Sequence, residues 1–408
     1  MADETPLGIS LPADFHMDEI RPSHRPRVAK PADPPLGVLA NFRGTFVGTG
    51  FNTIFRPNSA APTTTTFANA VTPAPPTPPS ENVLELNLTR ETLSFSKPLG
   101  NVPNRGLEAQ NDIFLNGVPY VQAIHDVTNP ETGQADAAPT AIHFEPGLWM
   151  HVPPTATTPV LAASLVRMAS IPHGTTINAQ TLDPTSSIKG PPNIPTVSIT
   201  PFVIGSSPPH LISFASQTAT NADTPRIPQD LTKFIAAGTI TQPILNDPNT
   251  VLRDAIAGQV ITNTIVFTVS SEPPPPEFGG GTDNIAFLEG DATLTNPNAN
   301  AVRISATFWI ETVQYKIEIP VWKKGEPALK IEVRPGRAGE PAPVFHVEPP
   351  HDVLAPITVT VSATQIQYSQ TVFLNFAGLT WPHVSVATLV PREPLVVPHS
   401  AFPVGGGA

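Results

Sequence analysis

The sequence predicts a mainly β protein: one antiparallel barrel of ten or more strands, assembled from early and late parts of the chain, with long Pro-rich insertions and two short helices. Three observations carry this. Prolines number 53 among 408 residues, about 13% where about 5% is usual, and a residue that lacks an amide proton and clashes inside a helix leaves strands joined by stiff connections. Apolar residues recur with the period of two that marks a strand with unlike faces. The early strand Gly44 to Phe51 and the late strand near Val384 to Val390 resemble each other in their small and β-branched residues, and a barrel removes its edges by pairing first with last.

Taken in order, residues 1–38 form a Pro-rich arm, because RPSHRPRVAKPADPP suits neither helix nor ladder. A single barrel domain then spans 39–391, interrupted by insertions at 57–80, 181–258, 272–300 and 323–356, and 392–408 is expected as a flexible tail. Glycines 44, 48 and 50 punctuate the first strand and signal bends or close backbone approach. Strands resume at Val83 to Leu88 and Thr92 to Ser96. Val118 to Val127 and Ala141 to Val152 form a hairpin around the turn residues Asn129 to Gly133, and Leu165 to Ile171 leads through Pro172-His173-Gly174 into Thr175 to Ala179. Helices are expected at Gln229 to Ala237, ended by Gly238, and after Asp247-Pro248, with Asp247 as cap and Gly258 as stop. Strands follow at Val260 to Val269 and Val302 to Ile319, separated by EPPPPEFGGG.

The closing stretch, Thr364 to Pro391, has the clearest pattern. Ile366, Tyr368, Val372, Leu374 and Phe376 share one face, with Gln365, Gln367, Ser369, Thr371 and Asn375 opposite. Gly378 to Pro382 reads as a turn, after which His383 opens a strand on its small-residue side, with Ser385 and Ala387, facing away from Val384 and Val386. An imidazole placed where its neighbours leave room is able to accept a metal or cofactor, or simply to cap a sheet edge in water. A second polar face carries His143, Glu145, Trp149 and His151 on one strand. As a hydrolase metal site this fails the three-ligand requirement, since eight residues at about 3.3 Å each separate His143 from His151 by about 26 Å.

The formal charge of −11, without a basic stripe, argues against nucleic acid as partner. Zero cysteines exclude disulfides, thiolate haem ligation, iron–sulfur clusters and Cys-type zinc sites. No window approaches the ~20 apolar residues of a membrane helix, and MADETPLGIS has no basic segment followed by an apolar core. The expectation is a soluble intracellular protein with a small-molecule ligand and no membrane partner.

Together, Gly44-Thr45-Phe46-Val47-Gly48, the hairpin strand His143-Phe144-Glu145-Pro146-Gly147, the Arg167 to Thr175 strand and turn, and the strand carrying His383 resemble nitrobindins, the haem-binding domain also found at the end of THAP-type proteins. The resemblance covers residues 39–180 and 357–391, with Phe46 where the family has Trp and with extra length between 181 and 356. It implies a calycin-like barrel of the fatty-acid-binding-protein type, haem b as cofactor, and His383 as the proximal ligand of its iron. It also implies nitric oxide binding and isomerisation of peroxynitrite to nitrate, while an enclosed pocket would suit peroxidase-like chemistry. Met168, Ile171 and Phe55 are then candidates to line the porphyrin slot, and His143, His173 and Arg167 to act as acid–base groups at the open iron face. From the residues alone, with four Met, three Tyr and no Cys, His is the best available axial ligand. Two other classes stay open: a haem-free barrel carrying an apolar small molecule, and a structural or interaction protein.

Overall fold

The computed structural model describes residues 32–57, 82–106, 111–156, 160–171, 174–184, 187–272, 280–284, 299–333 and 340–403. His173 lies outside the described residues. The strands are β1 (Gly44–Arg56), β2 (Val83–Phe95), β3 (Val102–Asn104), β4 (Ile113–Asp126), β5 (Thr140–Val152), β6 (Ser164–Ser170), β7 (Thr175–Leu182), β8 (Ile188–Lys189), β9 (Phe202–Val203) and β10 (Arg226–Ile227). Three short helices follow, α1 (Thr232–Ala237), α2 (Gln242–Asn246) and α3 (Thr250–Ala255). The remaining strands are β11 (Val260–Ser270), β12 (Gly281–Asn284), β13 (Asn300–Ile319), β14 (Leu329–Glu332), β15 (Val344–Val347), β16 (Ile357–Phe376), β17 (Leu379–Pro391) and β18 (Leu395–Val396).

Ten strands close a ring in the order β1, β2, β4, β5, β6, β7, β11, β13, β16, β17 and back to β1, every neighbour antiparallel. This is the expected barrel, consistent with a calycin-like architecture. First and last strands meet as expected, Phe46 opposite Pro391 and Thr53 opposite Val384. The glycines of β1 have a physical reason. A Cβ on Gly48 would sit 1.9 Å from the carbonyl oxygen of Thr388, and one on Gly50 would sit 2.2 Å from that of Val386, so only glycine lets β1 approach β17 this closely.

One end of the barrel is packed shut. Phe46, Leu93, Phe95, Tyr120, Trp149, Phe267, Phe308, Ile310 and Leu389 are buried there in one cluster. Phe42, which caps the 3-10 turn Gly37–Asn41, stacks on Phe95 at 4.6 Å and meets Trp149 edge-on at 5.6 Å. Burial of these aromatic rings stabilises the barrel by about 25 cal/mol for each Å² of apolar surface removed from water.

The outer wall formed by β1, β2 and β17 is covered. Phe51, Phe55, Leu84, Leu86, Leu88, Val384 and Val386 pack against Leu231, Phe234, Ile244, Leu245 and Leu252, from the helical segment. The helices, too short to hold alone, therefore dock on a side wall and not over a mouth. Helix α1 ends at Gly238 with φ 73°, as its sequence implies. At α3 the N-cap is Asn249, and Asp247 instead accepts backbone N–H groups from Asn249 at 3.2 Å and Val197 at 2.9 Å.

Strands β13 and β16, 20 residues each, carry a further cluster in which Ile317, Ile319, Val359 and Val361 pack with Trp322, Phe345, Val353, Val397 and Phe402. The small sheet β14–β15–β18 belongs to this cluster. Residues 392–403, expected as a flexible tail, thus pair and pack, because Val397 and Phe402 have an apolar site to fill. The turn after β16 is shorter than the sequence suggests. Ala377 and Gly378 make it alone, with φ 50° and 76°, and Leu379 already begins β17, so His383 is the fifth residue of its strand, not the first. Among the described residues no helix is long and apolar enough to cross a membrane.

Candidate functional site

Opposite the packed end, the barrel holds a cavity of about 600 Å³. Its lining comes from the ends of strands that reach this rim: Asn52, Ile54 and Arg56 of β1, Glu85 and Asn87 of β2, Gln122 and Ile124 of β4, Ala141 to His143 of β5, Ala301 of β13, Val372 and Leu374 of β16, and His383 and Ser385 of β17. Ile171, Gly174 and Thr175 complete it beside β7. The lining has two characters: β17, β1 and β2 bring polar groups, while Ile142, Ile171, Ala301, Val372 and Leu374 form an apolar wall.

Strand alternation puts His383 here. Val384 and Val386 are fully buried against the outer cover, so His383 and Ser385 face the cavity. The half-buried His383 ring has its Nε2 2.9 Å from Nδ2 of Asn52, which also donates to Ser385 Oγ at 2.7 Å.

The same alternation turns His143, Glu145 and Trp149 inward. Glu145 is fully buried and is held by Arg167 Nη2 at 2.6 Å and by the hydroxyl of Tyr120, and His143 Nε2 lies 3.2 Å from its second oxygen. Arg167, also buried, donates to Tyr120 Oη at 2.9 Å and to Gln370 Oε1 at 2.6 Å. Burial works to raise the Glu145 carboxyl, but the Arg167 charge and hydrogen bonds from His143 and Tyr120 outweigh it and hold the group down at about 2. A second buried carboxylate, Glu91, accepts from Tyr368 Oη at 2.6 Å, Thr89 Oγ1 at 3.0 Å and Gln122 Nε2 at 3.3 Å. There burial wins, and the Glu91 carboxyl is raised. His143, Gln370, Tyr368 and Gln122 thus line the cavity, each backed by a buried charged or polar partner.

The expected site residues divide accordingly. His383, His143 and Ile171 meet in the one cavity. Arg167 lies behind it, bonded to the lining residue Gln370. Met168 falls on the opposite face of β6 from Arg167 and does not line the cavity. Phe55 is on the outer wall, 5.0 Å from the Trp381 ring. The parity of each strand explains both: a residue next to an inward one points out. His151 stands apart from His143, paired with Asp183 at 3.1 Å, and among the described residues no group of three or more metal-ligating side chains occurs. Asn52, Glu91 and Gln370 carried no signal of their own in the sequence. Only the pairing of β1 with β17 and of β2 with β4 brings the first two to the site.

The donors present suit haem, which needs one axial imidazole and an apolar slot, better than a bare ion, which needs three or four ligands. A cavity of about 600 Å³ lies within the usual range for a bound small molecule or cofactor. Asn52 Nδ2 is shared between His383 Nε2 and Ser385 Oγ, so the imidazole is not its sole partner. No protein-family model, no curated protein and no solved structure matches this chain.

Proposed function

We propose that the protein is a haem-binding barrel in which His383 ligates the iron of haem b through an imidazole nitrogen. The observation that carries this reading is the position of His383: on the inner wall of a large cavity, half-buried, beside Val372 and Leu374 of the neighbouring strand and with Ile142 and Ile171 across the lining. A neutral imidazole is a good axial ligand, and the apolar wall favours a flat hydrophobic ring over water. Bound haem would supply an iron centre for nitric oxide binding, peroxynitrite isomerisation or peroxide chemistry. The chain's own part is to seat the ring and to exclude water from one side. In a hemin titration of the purified protein, a sharp Soret band that saturates at one equivalent supports the reading, and a broad band identical to free hemin contradicts it.

A second reading is favoured by the same apolar wall: a haem-free carrier of an apolar small molecule. It predicts no Soret shift but saturable uptake of a neutral fluorescent probe, with His383 dispensable.

A further inference from the structure

The outer wall of the barrel carries a second cavity, of about 300 Å³, that shares no lining residue with the first. Val251 and Ala255 of α3 and Val313 of β13 give it apolar sides, while Gln259, Gln365 and Thr388 give it polar ones. Its size reaches the lower end of the usual range for a small-molecule site.

Beside it lies a buried carboxylate without the support that Glu85, Glu91 and Glu145 have. Glu145 has Arg167 at 2.6 Å, Glu85 has Arg56 at 3.5 Å, and Glu91 accepts from Tyr368, Thr89 and Gln122. Glu311 is fully buried and has one neutral donor, Gln365 Nε2, at 2.6 Å from its Oε2. Its Oε1 has no hydrogen-bond partner among the described residues. Gln365 cannot serve both oxygens, because its second N–H goes to Gln259 Oε1 at 3.0 Å. Strand alternation puts Glu311 on the same face of β13 as Val313 and Tyr315, both of which line the cavity. Gln367, whose amide donates to the lining residue Thr388 at 2.7 Å, leaves its Oε1 as a second buried acceptor with no partner among the described residues. Buried acceptors left unpaired are costly, and two beside one cavity mark a place where a donor is wanted.

We propose that this outer cavity is a second ligand site, which takes a small organic cation with an apolar body, such as an alkylammonium or arylammonium ion, with Glu311 as its counter-charge. The site is independent of haem. A positive group meets two needs at once: it donates to Oε1, and it supplies the charge that no described side chain gives this carboxylate. The other titratable groups of the lining are Tyr315, Lys316 and Glu340, and none of them eases the carboxyl. Of the charged residues on α3, Arg253 is paired with Asp247, and neither Arg253 nor Asp254 lines the cavity. Burial pushes the Glu311 carboxyl up to about 8, so in the free protein at pH 7 it is mostly protonated. When the ammonium seats, the carboxyl O–H bond breaks heterolytically, the electron pair stays on the carboxylate, and the proton leaves to solvent. Gln365 keeps its bond to Oε2 throughout.

Calorimetry of the full chain with benzylamine, a cation at pH 7, in buffers of different ionisation enthalpy reads affinity and proton release together. Wild type is expected to bind one equivalent, releasing about one proton, and to bind neutral benzyl alcohol at least about tenfold more weakly. Glu311→Gln keeps an acceptor for Gln365 and removes the buried charge, so it is expected to fold. It should weaken benzylamine binding about thirtyfold or more and abolish the proton release. His383→Ala should leave both unchanged, since it lines the other cavity. Absence of saturable binding by wild type, binding without proton release, equal affinity for the alcohol, equal affinity in Glu311→Gln, or loss of binding in His383→Ala would each overturn the proposal.

Discussion

Asn52 and His383 meet across the seam where the first barrel strand pairs with the last, amide Nδ2 to ring Nε2 at 2.9 Å. The contact occupies one of the two ring nitrogens through which the proposed iron ligation could run. Replacing Asn52 by Ala removes a hydrogen bond worth about 0.5–1.5 kcal/mol that haem would otherwise displace. Haem affinity is therefore expected to rise up to about tenfold in Asn52→Ala, read by Soret titration. A fall in affinity would mean that Asn52 positions the ring and does not compete for it.

Glu145 and Arg167 should behave as one unit. Leaving either charge buried without the other costs about 3–5 kcal/mol, so Arg167→Met and Glu145→Leu are each expected to lower stability by that amount in urea denaturation. The double variant should recover much of the loss, because it removes both desolvation costs. Additive losses would show that the two charges do not depend on each other.

The pH dependence of stability has two opposed contributions. Glu145 is held near 2, below the ordinary value of 4.5, so its contribution is present above about 4.5 and is lost as the pH falls toward 2. Glu311, buried on the outer wall with only Gln365 at 2.6 Å to ease it, is pushed up to about 8. A raised carboxyl favours folding below about 4.5, and that advantage is lost as the pH rises toward 8. Glu311→Gln keeps an acceptor for Gln365 and is expected to stabilise the protein by about 2–4 kcal/mol at pH 8 and by almost nothing at pH 4. Urea midpoints at the two pH values check this, and an equal gain at both would contradict it.

Gly48 sets the closure of the barrel. A Cβ there meets the Thr388 carbonyl oxygen at 1.9 Å, and backbone cannot yield as a flexible side chain does. Gly48→Ala is expected to cost more than about 3 kcal/mol, measured by denaturation. The same substitution at Gly205, where nothing lies within 4 Å but φ is 74°, should cost about 1 kcal/mol through its backbone conformation alone.

Much of this was legible in the residues. The alternation of β5 and β17 showed which side chains share a face, and the glycines of β1 marked where two backbones nearly touch. The order of strands around the ring was legible for neighbours in sequence and for the first and last strands, which closure requires to meet. The polar face of β16 is covered in part: Gln365 and Gln367 are buried, the latter donating to the Leu252 carbonyl at 3.0 Å. Period two tells two faces apart but not which is covered, and the cover comes from a Pro-rich segment with little periodicity of its own. Phe55 was misplaced for the same reason: its large apolar ring packs under the cover against Trp381 and Phe214 instead of facing the cavity. Glu91 stayed hidden because β2 continues through what looked like a break between two short strands.

The most direct test is the Soret titration of His383→Ala beside wild type. His383 is half-buried on the cavity wall and contributes little to the packed end, so the variant is expected to fold, with an unchanged circular dichroism spectrum. Wild type should bind one equivalent of hemin with a sharp Soret band, and His383→Ala should lose that band and most of its affinity. Full affinity and an unaltered band in His383→Ala would contradict ligation by this residue and leave the apolar carrier as the better account.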